Sequence, residues 1–242
     1  MADGDQPGTR RILLKLSGEV LAGGSGHGID PDTLNEFAEC IISVVSEGYQ
    51  LAIVTGGGNF VRGRDIPSVH RVTGDQMGML ATVINSLALK DSLEKHGGRA
   101  TVLSAFEVPG IAEQFSPGRA VELLENGSVN IYAGGTGNPG LTTDTAAALR
   151  ALQTGCRKLL KGTKVDGVFS GDPAADPSVQ RFPCIGYDEV LRRDLGFMDA
   201  AAVAVCRDAG MIIRVFDVRD PANIIRVLED PTIGSTVGGE RS

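Results

Sequence analysis

Short, almost uninterrupted apolar segments recur along this chain, and each has about the length of a β-strand. We predict strands at residues 11–16, 51–54, 100–103, 129–133, 158–161 and 212–216. Strands that are apolar on both faces are typical of a parallel sheet that is covered by helices on each side. The sequence therefore favours a mostly parallel sheet in the centre of the fold.

Helical patterns alternate with these segments. One predicted helix begins at Pro31, with Asp30 as its N-cap, and ends before Gly48. Further helices are predicted at residues 77–93, 119–125, 144–153, 187–193, 199–208 and 221–228. The alternation predicts one α/β domain, a three-layer α/β/α sandwich over residues 11–237. Flexible termini are predicted at residues 1–10 and 238–242, and a loop at residues 17–28.

The predicted helix at residues 77–93 has a marked apolar face. Its members are Met77, Leu80, Ala81, Ile84, Leu87 and Ala88. Such a face packs either against the sheet or against another subunit. Both uses are open at this point.

Glycine is unusually abundant, since 33 of the 242 residues are glycine, whereas roughly 7 % is usual. Four glycine-containing turns follow predicted strands: Ser17-Gly18, Gly56-Gly57-Gly58, Gly134-Gly135-Thr136-Gly137 and Gly162-Thr163. Ligands of open parallel sheets bind beyond the carboxyl ends of the strands. Glycine in such turns lets backbone N–H groups approach an anion closely. The turns therefore predict an anion site at this edge.

Charged residues accompany the same turns. The cations are Lys15, Arg62, Lys161 and Lys164, and the carboxylates are Asp75, Asp144, Asp172 and Asp199. A lysine at the end of a buried strand is costly unless an anion pairs with it. Together, these residues predict a site for several phosphates, in which a carboxylate orients the lysines or holds a phosphate-bound metal ion.

Charge and cysteine usage bear on partners and compartment. The formal net charge of −7 argues against a general nucleic-acid binder. The amino-terminal residues 1–7 are polar, and the longest apolar run, residues 200–206, is too short to span a bilayer. The cysteines, predicted to be reduced core residues, are scattered: Cys40, Cys156, Cys184 and Cys206. We expect a cytoplasmic protein with no membrane or nucleic-acid partner.

The common nucleotide and hydrolase motifs are missing from the sequence. Residues 135–140 have the glycine spacing of a P-loop, but Leu141 stands where that motif has lysine. The stretch from Gly56 does not complete GxGxxG, and the HRD and DFG motifs of protein kinases are absent. The sequence also offers no convincing Ser-His-Asp arrangement.

Several short blocks of the sequence stand out: KLSGE at 15–19, GGGN at 56–59 with Arg62-Gly63, GDQMGMLAT at 74–82, TGNP at 136–139, TTD at 142–144, KVDGVF at 164–169, MD at 198–199, CRD at 206–208 and IRVF at 213–216. These blocks resemble those of the bacterial uridylate (UMP) kinases, within the amino-acid-kinase superfamily. They occur in order across residues 11–237. The resemblance implies an amino-acid-kinase (carbamate-kinase-like) fold.

The same resemblance implies Mg²⁺-dependent transfer of the ATP γ-phosphoryl group to UMP, giving UDP and ADP for pyrimidine nucleotide biosynthesis. It implies four catalytic residues, Lys15, Arg62, Asp144 and Lys161. It implies an ATP site made of Lys15, Leu16, Ser17, Gly18, Gly58, Arg62, Thr163, Phe169, Asp172 and Asp199. It implies a UMP site made of Gly57, Gly58, Arg62, Asp75, Thr136, Gly137, Asn138, Thr142 and Thr143.

The resemblance also carries expectations about cofactor, assembly and control. Mg²⁺ would arrive with ATP, without a direct protein ligand. A homohexamer is implied, with GTP and UTP as effectors. The implied allosteric loop contains Gly23, Gly24, Ser25, Gly26, His27 and Gly28. Two alternatives remain: a non-catalytic nucleotide- or anion-binding protein of this fold, and a sister kinase whose acceptor is carbamate or a carboxylate.

Overall fold

A central parallel sheet dominates the computed structural model, which describes residues 10–61 and 68–239. The strands in these ranges are β1 (Arg11–Leu16), β2 (Gln50–Thr55), β3 (Ala100–Ser104), β4 (Glu113–Gln114), β5 (Val129–Ala133), β6 (Lys158–Thr163), β7 (Val168–Phe169), β8 (Arg181–Phe182), β9 (Cys184–Ile185), β10 (Ile212–Asp217) and β11 (Ser235–Val237). Nine of them form one sheet in the order β4-β3-β5-β2-β1-β6-β10-β11-β9, and β7 pairs with β8 separately. All six predicted strands are therefore confirmed.

Helices cover both faces of the sheet. They are α1 (Pro31–Ser46), α2 (Arg71–Lys95), α3 (Pro117–Glu125), α4 (Thr143–Thr154), α5 (Tyr187–Arg192), α6 (Ala200–Asp208) and α7 (Asn223–Glu229). Successive side chains of β1 point to opposite faces. Leu14 packs in a cluster with Phe37 of α1 and Ile224 of α7, whereas Leu13 packs with Ala148 of α4 and Val203 of α6. The three-layer α/β/α prediction is confirmed.

One edge of the sheet departs from the parallel pattern. β10 and β11 are antiparallel, with Ile213 opposite Val237, and β9 pairs parallel to β11. β9 has two residues and β11 has three. Strands this short lack a hydrophobic run long enough to be identified in the sequence.

Two local predictions are wrong near predicted site residues. The predicted loop at residues 17–28 contains a 3₁₀ helix, Gly18–Ser25. The predicted turn Gly162-Thr163 lies inside β6, where Gly162 pairs with Phe216 of β10. A Cβ atom at Gly162 would lie 2.9 Å from the Val218 side chain. Glycine at this position therefore serves close packing rather than a turn.

Only part of the predicted apolar face of α2 packs in the core, where Leu87 and Ala88 contact the main hydrophobic cluster. Leu80 is 53 % exposed and Ile84 is 48 % exposed, whereas Ala81 of the same predicted face is buried. On the other side, α2 buries the polar residues Thr82, Asn85, Ser86 and Ser92. Buried backbone groups require hydrogen-bond partners, and the polar side chains supply them. Core burial is therefore wrong for Leu80 and Ile84, and an interface remains the open use.

The four cysteines are free thiols. Cys156 and Cys206 are buried, as predicted, and burial raises the pKa of the Cys156 thiol to about 11. Cys40 is only half-buried, and Cys184 is exposed on β9. The prediction of a core position is therefore wrong for Cys184. Among the described residues, no helix is both long and apolar enough to cross a bilayer.

Candidate active site

The site is built on four adjacent strands, which lie in the order β5-β2-β1-β6. Each neighbouring pair is parallel, so their carboxyl ends meet at the same edge of the sheet. The glycine turns after β1, β2 and β5 meet there, together with the end of β6. This is the edge at which the sequence predicted an anion site.

Two of the turns touch through their backbones. A Cβ atom on Gly18 would lie 2.6 Å from both the Gly56 carbonyl oxygen and the Asn59 side-chain oxygen. A Cβ atom on Gly57 would lie 2.6 Å from the carbonyl oxygen of Gly78 in α2. Any larger residue would push the turns apart. Glycine therefore brings the turn after β1 against the turn after β2 and seats the latter on α2.

Two lysines and one aspartate form the charged centre of the edge. Lys15 of β1 and Lys161 of β6 are opposite each other in the parallel register, so their side chains leave the sheet on the same face. Asp144 lies in the first turn of α4 and accepts a hydrogen bond from each ammonium group, at 2.8 Å from the Lys15 Nζ and in a shorter contact with the Lys161 Nζ. The side chains are between 8 and 14 % exposed.

Burial and neighbouring charges shift the titration of this cluster. Burial raises the pKa of the Asp144 carboxyl, but the ammonium groups of Lys15 and Lys161 outweigh that effect and hold it below its usual value. Burial and the Lys15 charge lower the pKa of Lys161 to about 8. Two lysine side chains thus share one carboxylate. The cluster has an excess positive charge, which suits an anionic ligand.

Asp199 connects α6 to the start of α4. Its carboxylate is the N-cap of α6 and accepts the N–H of Ala202 at 3.0 Å. It also accepts the Thr145 hydroxyl at 2.9 Å and the Thr142 hydroxyl at a shorter distance. Thr142 in turn is the N-cap of α4. Asp199 therefore fixes the helix end that carries Asp144.

A cleft of about 150 Å³ lies between α2 and the loop after β5. Most residues of the predicted UMP site line it: Gly57, Gly58, Asp75, Thr136, Asn138, Thr142 and Thr143. The Asp75 carboxylate accepts the N–H of Gly140 at 2.7 Å, which joins α2 to the loop. The cleft brings these residues together, and Gly137 lies in the same loop with a φ of 83°.

A second cavity, of about 470 Å³, lies on the far side of β6. Phe169 and Asp172 of the predicted ATP site line it, with Phe197 and Leu195. Thr163 ends β6 near this cavity and donates its hydroxyl hydrogen to the Val165 carbonyl at 2.6 Å. Lys15 and Lys161 therefore stand on the strands between the two cavities.

The other predicted residues have varied positions. Leu16 is buried at the end of β1, and Ser17 starts the turn before the 3₁₀ helix. Lys164 pairs with Glu19 of that helix at 2.7 Å. Arg62, predicted to be catalytic and to bind both substrates, lies outside the described residues, as does the rest of segment 62–67.

A third cavity, of about 600 Å³, borders the predicted allosteric loop. It is lined by Gly23 and Gly26 of the loop and by Lys164 and Arg219. His27 packs edge-on against Phe60, with 6.0 Å between ring centroids, and Gly28 donates its N–H to the Asn59 carbonyl at 3.0 Å. Ser25 donates its hydroxyl hydrogen to the Ala22 carbonyl, while Gly24 has open space around it.

Sequence reasoning missed the neutral polar residues behind the turns. Asn85 and Thr82 of α2 make hydrogen bonds to the turns after β2 and β5, at the Gly56 carbonyl and the Gly134 N–H. The helical pattern could have indicated these two residues, because both lie on the side of α2 away from Leu80 and Ile84. Asn59 belongs to a block that carried the resemblance, but no role was assigned to it.

The carboxylates of the site limit how a metal ion could bind. No group of three or more His, Cys, Asp or Glu residues suited to a metal occurs in the described part of the chain. Asp144 is engaged by two lysines, and Asp199 accepts two hydroxyls and one N–H. Mg²⁺ commonly binds through phosphates with only one or two carboxylates. The residues therefore fit a cation that is held mainly by nucleotide phosphates.

Comparison with known families gives a match along most of the chain. The description "Amino acid kinase family" fits residues 10–217. A uridylate kinase of Xanthomonas oryzae pv. oryzae is 47 % identical over 232 residues, covering 95 % of this chain and 97 % of the relative. A uridylate kinase of Coxiella burnetii is 44 % identical and covers 98 % of both chains.

Solved structures agree with this match. The UMP kinase of Bacillus anthracis superposes with a TM-score of 0.91 at 33 % identity, covering 96 % of this chain and 97 % of its own. The UMP kinase of Ureaplasma parvum gives a TM-score of 0.89 at 35 % identity, with coverage of 95 % and 99 %. The likeness includes nearly the whole chain in each case.

Proposed function

The chain belongs to the amino acid kinase family, and we propose that it is a nucleoside monophosphate kinase that transfers the γ-phosphoryl group of ATP to UMP, giving UDP and ADP. The observation that carries this proposal is the pair Lys15 and Lys161 around Asp144, between two separate cavities. Two cavities suit a reaction between two nucleotides. The excess positive charge between them suits the phosphoryl group that passes from one to the other.

The reaction needs positioning and charge stabilisation more than covalent chemistry. Lys15 and Lys161 stabilise the negative charge on the transferring phosphoryl group and on the ADP leaving group. Asp144 holds both ammonium groups in one orientation. Asp199 acts through α4, because it fixes the helix end that carries Asp144. No group of the chain accepts the phosphoryl group in this scheme.

The acceptor occupies the cleft of about 150 Å³. Gly57 and Gly58 bind the UMP phosphate through their backbone N–H groups, together with Arg62 and Thr143. Asp75 accepts hydrogen bonds from the ribose hydroxyls, and residues 136–138 contact the uracil ring. ATP occupies the side with Phe169, where an aromatic ring suits stacking on adenine.

The ATP phosphates would carry a Mg²⁺ ion, which would offset part of their negative charge. The phosphates would supply most of its ligands, because the Asp144 and Asp199 carboxylates are engaged within the protein, and Asp199 supports the ATP side through the helix end that it fixes. Lys15 and Ser17-Gly18 bind the phosphates directly in this proposal.

Assembly and control form a further part of the proposal. We infer a homohexamer of cytoplasmic subunits, in which Leu80 and Ile84 on the exposed side of α2 supply apolar contacts. GTP and UTP act through the loop of residues 23–28, which borders the cavity with Lys164 and Arg219. Sedimentation of the wild type and of Leu80→Gln tests the assembly, because an unchanged oligomer in the variant contradicts this use of α2.

An acceptor panel tests the reaction. ADP release from Mg·ATP is measured with UMP, CMP, AMP, GMP, carbamate and acetylglutamate, with and without GTP. We expect turnover with UMP. Turnover with carbamate or acetylglutamate alone supports the sister kinase, and nucleotide binding without turnover supports the non-catalytic alternative.

A further inference from the structure

Two asparagines are completely buried behind the phosphate turns. Asn59 follows the triple glycine and is 1 % exposed, and Asn85 lies on α2 and is 0 % exposed. A buried amide is costly unless its hydrogen bonds are made. Both amides therefore need hydrogen-bond partners inside the protein.

The two amides bind each other reciprocally. The Asn59 Nδ2 donates to the Asn85 Oδ1 at 2.9 Å, and the Asn85 Nδ2 donates to the Asn59 Oδ1 at 2.7 Å. Each amide uses its second N–H on a backbone carbonyl. Asn85 donates to Gly56 at 2.7 Å, and Asn59 donates to Gly28 at 2.6 Å. All four amide N–H groups are therefore paired, as a rigid buried network requires.

The pair ties three separate segments together. Through Gly56 it holds the turn after β2, through Gly28 it holds the end of the glycine-rich loop, and through Asn85 it is anchored on α2. Gly28 is held twice, because its N–H also donates to the Asn59 carbonyl at 3.0 Å. Each contact fixes backbone rather than a side chain.

The turn after β1 rests on the same pair. The Cα of Gly18 faces the Asn59 Oδ1 so closely that a Cβ atom would lie 2.6 Å from it. Gly18 belongs to the proposed ATP side, and Gly57 and Gly58 belong to the proposed UMP side. The asparagine pair thus lies where the donor turn and the acceptor turn meet.

We propose that Asn59 and Asn85 are positioning residues for phosphoryl transfer. This proposal rests on the proposed kinase function. The pair sets the distance and angle between the donor turn at Gly18 and the acceptor turn at Gly57-Gly58. Neither side chain contacts a substrate. Because in-line transfer depends on alignment more than on affinity, loss of the pair reduces kcat more than it changes either KM.

The test compares Asn85→Ala, Asn59→Ala and the double variant with the wild type. We expect kcat to fall about 10- to 100-fold in each single variant, with the KM values for UMP and ATP within about threefold of the wild type. The kcat of the double variant should be no more than about twofold below that of the less active single variant, because the two amides act as one unit. Circular dichroism shows that each variant is folded at the assay temperature.

Ser92→Ala provides the matched control. Ser92 is also buried on α2, but its hydroxyl donates a hydrogen bond to the Asn35 Oδ1 at 2.9 Å, away from the turns. We expect kcat within about twofold of the wild type despite a similar loss of a buried hydrogen bond. If Asn85→Ala does not fold, Asn85→Ser goes through the same measurements.

Three results overturn the proposal. They are a folded Asn85 variant with wild-type kcat, losses in the two single variants that multiply in the double variant, and an equal loss in Ser92→Ala. A wild-type enzyme that does not phosphorylate UMP refutes the kinase proposal instead, so the two failures are distinguishable.

Discussion

Two polar groups are buried at the same edge of the sheet, and they differ in how completely they are paired. Lys15, Lys161 and Asp144 combine two positive charges with one negative charge. Asn59 and Asn85 use every amide N–H within the protein. The charged group is electrostatically incomplete and is suited to bind an anion, whereas the neutral group is complete and is suited to hold backbone.

The comparison also explains why the charged group could be predicted from the sequence and the asparagine pair could not. A lysine that ends a buried strand is unusual, so Lys15 and Lys161 attract notice in the sequence. Asparagine occurs in turns and on helix surfaces for ordinary reasons, so Asn85 carries no comparable signal. Its burial depends on which face of α2 meets the turns, which is a property of the tertiary structure.

Removing Lys15 should have the largest effect. We expect Lys15→Ala to lower kcat about 10²- to 10³-fold, because a positioned positive charge is lost from the transition state. Lys158→Ala, at the opposite end of the β6 strand that carries Lys161, is the control. Steady-state kinetics with saturating UMP and ATP provide the measurement, and a near-normal kcat for Lys15→Ala contradicts the role assigned to the charged group.

The effect of pH on kcat/KM should be the next largest. Burial and the Lys15 charge lower the pKa of Lys161 to about 8, so the ammonium form is present below that pH and is lost above it. Since kcat/KM reports the free enzyme, we expect it to fall as the pH rises through about 8. In Asp144→Asn the fall should begin at lower pH, because the carboxylate that favours the ammonium form is gone.

Two further observations complete the pH test. The fall in kcat should lie at higher pH than the fall in kcat/KM, since bound phosphates also stabilise the ammonium group. Asp144→Asn should reduce kcat as well, because the lysines lose their common partner. An identical pH profile in the variant shows that Lys161 does not control the reaction.

The smallest of the three expected effects is that of replacing Asp75. The pairing of its carboxylate is intermediate between that of the charged group and that of the two asparagines. Its carboxylate accepts one backbone N–H, from Gly140, and retains acceptor capacity toward the cleft. We expect Asp75→Asn to raise the KM for UMP about tenfold, with a smaller change in kcat. Asp91→Asn, on the exposed part of α2, is the control. A large fall in kcat with an unchanged KM contradicts a binding role.

The fold was predictable where a long pattern decided it. Six apolar strands and the helices between them predicted the three layers, because a sheet that is apolar on both faces needs helices on both faces. β11 was missed, because three residues at an antiparallel edge do not form a pattern. The use of the apolar face of α2 could not be decided from the sequence, because the exposure of Leu80 and Ile84 depends on which side of the helix meets the turns.

The register of Lys15 opposite Lys161 has a consequence for how such a site can change over time. Neighbouring strands lie roughly 4.8 Å apart, and this distance is set by backbone hydrogen bonds rather than by loop conformation. The spacing of the two lysine backbones is therefore inherited with the sheet itself, and Asp144 sets where their ammonium groups meet. Loops around the cleft are free to diverge toward other acceptors, while the two lysines stay anchored side by side.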